Sequence, residues 1–107
     1  MPPPLNDAAT GFLGAIRASF ASHEGFVLEE IRSRGWASVT FSGAWHELAF
    51  RLEGDDAERT AARFLSGLEA RDFDLRGHIL ADISVTDEER RPGWARIRLE
   101  ALTVEDR

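Results

Sequence analysis

Apolar residues recur along the chain with two different periods. Between residues 8 and 22, Ala9, Phe12, Leu13, Ile16 and Phe20 fall three and four apart, the spacing of one helix face. Asn6 or Asp7 stands where a helix N-cap belongs. Gly11 and Gly14 weaken that helix and are read as permitting close packing against a sheet. Residues 26–32, FVLEEIR, fit either a short strand or a last irregular turn.

The period then changes to two. Residues 35–50 read GWASVTFSGAWHELAF, with Ser42-Gly43 as a two-residue hairpin signal between alternating runs. Pairing Phe41 with Ala44 puts Val39 opposite His46 and Trp36 opposite Ala49. One face then carries Ala37, Val39, Phe41, Leu48, Phe50 and Leu52. The other carries Trp36, Trp45, Glu47, Ala49 and Arg51. Asp55 and Glu58 form a capping-box pair ahead of a second helix, whose inner stripe is Ala57, Ala61, Phe64, Leu65 and Leu68. Phe73 and Leu75, in a loop over 72–77, tuck back onto the core edge.

Residues 78–86 alternate again, with Ile79, Ala81, Ile83 and Val85 inward and His78, Leu80, Asp82 and Ser84 outward. Residues 87–93 read as a polar connection. A last strand over 94–104 turns Ile97 and Leu99 inward and Trp94, Arg96, Arg98 and Glu100 outward. Leu102 and Val104 break that parity, through a bulge or through burial on both sides.

Helix, hairpin, helix, hairpin predicts a two-layer α+β sandwich. Two helices cover one face of an antiparallel sheet of four to five strands. This order resembles a circularly permuted ferredoxin-like sandwich, and small bacterial proteins of unknown function that share that fold. The resemblance implies a fold and carries no functional residue. The 107 residues suit a single domain, with residues 1–6, containing Pro2, Pro3 and Pro4, as a flexible tail.

Composition narrows the chemistry. There is no cysteine, so thiolate catalysis and cysteine–metal sites are excluded. The net charge of −6 opposes binding to a nucleic-acid backbone. No apolar run reaches the roughly 20 residues of a membrane span, and residues 1–10 lack a signal-peptide pattern. A soluble, cytoplasmic protein is expected.

No motif calls for a cofactor or metal. His23, His46 and His78 have no ligand-like spacing. Ser42 has a turn role and no nucleophile motif around it. Gly11-Phe12-Leu13-Gly14 lies within a helical pattern and lacks the basic flanks of a nucleic-acid loop. His46 points inward and is read as structural.

What remains is the sheet face away from the helices. Trp36, Trp45 and Trp94 are expected there with His78, Leu80, Arg51, Arg96 and Arg98. Tryptophan and arginine are favoured interface anchors. The expectation is a non-catalytic domain that forms a homodimer through this face or binds a small apolar ligand there. The alternative is a small cofactor-independent enzyme with an apolar pocket in a dimeric α+β barrel, using His78 as acid or base.

Overall fold

A computed structural model describes residues 7–73 and 75–106. Helix α1 spans Asp7–Ser19. Strands β1, Phe26–Ala37, and β2, Ser42–Glu53, form the first hairpin. Helix α2 covers Ala57–Leu65, with a single 3-10 turn over Leu68–Ala70. Strands β3, His78–Arg91, and β4, Trp94–Glu105, form the second hairpin. The four strands make one antiparallel sheet in the order β1-β2-β4-β3, and both helices pack on one face. The two-layer α+β sandwich expected from the pattern is the architecture found.

The central pair, β2 and β4, runs in register without a bulge from Gly43 opposite Val104 to Glu53 opposite Trp94. Opposed residues of an antiparallel pair share a face, so this pairing fixes both surfaces of the sheet. Ala44, His46, Leu48, Phe50 and Leu52 face the helices with Ala95, Ile97, Leu99, Ala101 and Thr103, and all are buried. Phe12 and Ile16 of α1 and Ala57, Ala61 and Phe64 of α2 close over them. At the end of α1, the Phe20 ring lies 4.8 Å from Phe64, 5.2 Å from Phe50 and 5.5 Å from Phe26. Aromatic pairs at such spacings contribute about 0.5–1.5 kcal/mol each beyond the area they bury.

Several local expectations are corrected. Residues 26–37 are one continuous strand, with a bulge between Leu28 and Glu30. The first hairpin does not turn at Ser42-Gly43: Ala37 pairs with Ser42, and residues 38–41 are the loop. Ser38 closes it, its amide donating to the Phe41 carbonyl at 2.7 Å while its hydroxyl accepts from the Phe41 amide at 3.1 Å. Trp36 therefore faces Gly43 rather than Ala49, and Val39 and Phe41 stand in water rather than in the core.

The second hairpin is tighter than expected. Residues 87–91 belong to β3, and the chain reverses at Pro92-Gly93, where Gly93 takes φ 73°. The Asn6 cap lies outside the described residues. The N-cap of α2 is Asp56, not Asp55. It makes no side-chain cap; its carboxylate lies 3.4 Å from His23 Nδ1.

Gly11 and Gly14 are not packing contacts, since a Cβ at either meets nothing within 4 Å. Gly43 is the opposite case. A Cβ there would collide with the Thr103 carbonyl oxygen and lie 2.8 Å from the Trp36 ring. Gly11→Ala should therefore raise stability by about 0.5–1 kcal/mol. Gly43→Ala should lower it by about 1–3 kcal/mol. Urea unfolding of both variants checks the pair of opposite signs.

Candidate functional site

The outer sheet face is ordered in cross-strand rows. The row at the loop end of the first hairpin runs Trp36, Gly43, Val104, Ile79; the next runs Arg34, Trp45, Leu102, Asp82. Two rows further on come Glu30, Ala49, Arg98 and Asp87, and Trp94 sits at the far end beside Arg91. Trp36, Trp45, Trp94, Arg51, Arg96 and Arg98 thus share this face. The three tryptophans do not form one cluster. Eight residues separate the Trp45 row from Trp94, about 27 Å along the strands.

A charged band fills the interval. The bulge in β1 lets Glu29 reach across the sheet. Arg96 donates to it through Nε at 2.7 Å and Nη2 at 3.0 Å, and Arg51 Nη1 donates at 3.2 Å. Arg51 also donates to Glu53 at 2.7 Å. Glu30 accepts from Arg98 at 3.1 Å and from Arg32. The Glu30–Arg98 pair spans Ala49, which is buried although no helix lies over it. The Arg96 hydrogen bond, with help from Arg51, holds the Glu29 carboxyl below the usual carboxylate range; Arg32 and then Arg98 do the same for Glu30. Glu53 and Glu29 raise Arg51, and Glu29 raises Arg96. At the far end, Arg91 and Arg96 lie 5.1 and 5.0 Å from the Trp94 ring. This part of the face already has its partners within the chain.

The opposite end does not. Trp45 is 42% exposed, Ile79 53% and Phe41 56%, and Val39 is fully exposed at the tip of the 38–41 loop. Trp36, Leu102 and Val104 lie half-buried between them, and the Trp36 indole nitrogen is buried without a hydrogen-bond partner. Leu102 and Val104 need no bulge in β4: they keep strict alternation on the outer face, with Ala101 and Thr103 taking the inner positions. A hollow of about 330 Å³ beside Trp45 is lined by Arg32, Ser33, Arg34 and Glu47.

His78 and Leu80 do not join this surface. The register shift between Leu80 and Asp82 inverts the start of β3. Leu80 pairs with Thr103 and packs on the core, while Ile79 takes the outer position beside Val104. His78 has helix-side parity opposite Glu105, and its ring hydrogen-bonds through Nδ1 with the Arg76 carbonyl at 3.1 Å.

His46 is 1% exposed and stacks on Phe12 at 5.5 Å. Thr103 Oγ1 donates to the Ala44 carbonyl at 3.4 Å, which leaves it to accept from His46 Nε2–H at 2.9 Å. Nδ1 then accepts from the Ser33 hydroxyl at 2.6 Å. Every member is satisfied, so the chain acts as a polar plug in the core. Among the described residues, no carboxylate completes a nucleophilic triad with Ser33 and His46.

No family model matches the chain, and no curated protein matches it. Among solved structures, one chain of a virion of a native gene transfer agent particle superposes with a TM-score of 0.66. The match covers 92% of this chain and 98% of that one, at 16% identity. At that identity the likeness is one of fold.

Burial, and secondarily the charge of His78, push the His46 imidazole below its ordinary value. The unfolded chain therefore binds a proton that the folded chain refuses. Stability should be full above about pH 6.5 and fall as pH drops from there toward the lowered folded value. Urea midpoints from pH 7.5 to 5 should show this decline, and His46→Gln should flatten it. Ser33→Ala leaves Nδ1 without its donor and should cost about 1–3 kcal/mol in the same assay.

Proposed function

We propose that the chain is a non-catalytic structural subunit that self-associates through the apolar end of its outer sheet face. The observation that carries this is the division of that face. The arginines around Glu29 and Glu30 are paired with them within the chain, while the Trp45–Ile79 end and the Phe41 loop present apolar groups to water. Val39, Phe41, Trp45 and Ile79 together expose on the order of 400 Å². Patches of that size on soluble proteins commonly serve as contact surfaces. The fold shared with a virion chain supports a place in a multi-subunit assembly over a free-standing enzyme.

The enzyme reading loses its geometry, because it needs His78 in a tryptophan-lined pocket and His78 lies on the helix side. A small-ligand role fares better, since the hollow beside Trp45 has room for a small molecule. Its lining of two arginines and a glutamate suits a polar ligand, not an apolar one.

Sedimentation of the purified chain should give a concentration-dependent mass above the monomer, with tryptophan emission shifting to the red on dilution. Trp45→Ser and Phe41→Ser should each weaken association about tenfold or more, the scale of an anchor residue. Helical circular dichroism should be unchanged. A wild type that stays monomeric at the highest soluble concentration contradicts the proposal.

A further inference from the structure

The sheet has two long open edges, β1 of 12 residues and β3 of 14; the charges of β1 balance, and β3 carries more acidic than basic residues. Each edge strand leaves a row of backbone donors and acceptors without in-sheet partners, a template for another strand. Arg34 on the β1 edge and Asp82 on the β3 edge are both exposed, and neither has an ion-pair partner among the described residues. They stand at the two ends of the same cross-strand row, through Trp45 and Leu102.

From this placement we infer that a second copy of the chain adds head to tail, its β1 pairing with β3 of the first. The inference rests on the assembly reading above but on different residues. Strand directions fit: the antiparallel order β1-β2-β4-β3 leaves β3 running opposite to the β1 of a copy shifted sideways. Keeping the rows aligned puts Arg34 of one copy opposite Asp82 of the other on the outer face. It puts Ile31 opposite Val85 on the helix side.

Bulges limit the match and give it a register. Register shifts at Ala81 and Thr86 break the β3 edge on either side of one run, and β1 is broken at Glu29 alone. They leave Asp82–Val85 as an uninterrupted four-residue run, and Ile31–Arg34 lies opposite it within the unbroken stretch from Glu30 to Ala37. Bulges discourage indiscriminate strand addition, so one short segment of β3 is available. On the helix side, a hollow of about 450 Å³ lined by Leu65, Leu68, Ala70 and Val85 borders that segment, and Val85 is 39% exposed. Ile31 of the incoming copy covers it.

Two-fold pairing of β3 with itself gains no pair of opposite charge within the run, since Asp82 is the one charged residue of Asp82–Val85. Head-to-tail contacts use two different surfaces, so they do not stop at a dimer; they close into a ring or continue as a filament.

The test is charge reversal on the full chain, read by sedimentation velocity. Wild type should reach species larger than a dimer. Arg34→Asp and Asp82→Arg should each weaken association about tenfold or more. The double variant, with the pair inverted, should recover most of that loss. Circular dichroism, and urea midpoints at concentrations where every variant is monomeric, should remain those of wild type, since both side chains lie on the surface.

A wild type that ends at a dimer, single reversals without effect, or a double variant no better than the singles overturns the inference. Assembly that responds to Trp45→Ser but not to the reversals leaves the face reading standing and removes the edge contact. The opposite pattern removes the face reading alone.

Discussion

The pairing of β2 with β4 is the constraint on which the rest of the structure depends. It runs without a bulge for its whole length, so a single parity decides which side chains meet the helices and which meet water. Shifting β2 by one residue against β4 would turn Leu48 and Phe50 outward and bring Arg51 under the helices, and shifting β4 instead would do the same to Ile97 and Leu99 and to Arg96 and Arg98. The buried Ser33–His46–Thr103 plug depends on the same parity, because its members come from β1, β2 and β4. The bulges all lie in the edge strands. The centre is regular, and irregularity is confined to where the sheet has only one neighbour.

That distribution explains what could be read from the amino acids. β2 and β4 alternate cleanly because both are central and one face of each is fully covered. The split into apolar and charged sets follows directly. Both amphipathic helices and the inward turn of His46 were readable for the same reason. β1 was not, because FVLEEIRSRGWA mixes charge into an edge strand and its bulge breaks the period at Glu29.

The Ser42-Gly43 turn was misplaced by two apolar side chains. Val39 and Phe41 look like strand positions, yet Ser38 closes a loop that puts both in solvent. The bulge at Ala81 similarly exchanged Ile79 for Leu80 and moved His78 off the tryptophan face. The parity break at Leu102 and Val104 was the available signal for the exposed apolar end. It marked apolar residues on the outer face, and it reads correctly once alternation is kept.

The outer face therefore consists of two surfaces of different character. Around Glu29 and Glu30 the ion pairs are internal, and exposed pairs of this kind add little to stability. Their main effect is to satisfy the charge and cover Ala49. The Trp36–Trp45–Ile79 end, the Phe41 loop and the Arg34 and Asp82 edges lack such completion. They adjoin one another at one end of the molecule, the end that the proposed assembly uses.

Hydrogen exchange measured on dilute and concentrated protein tests this most directly. The account predicts that exchange slows with concentration in residues 31–45 and 79–85 and stays the same in α1 and α2. Equal exchange everywhere at both concentrations, or protection that appears first on the helices, would contradict it.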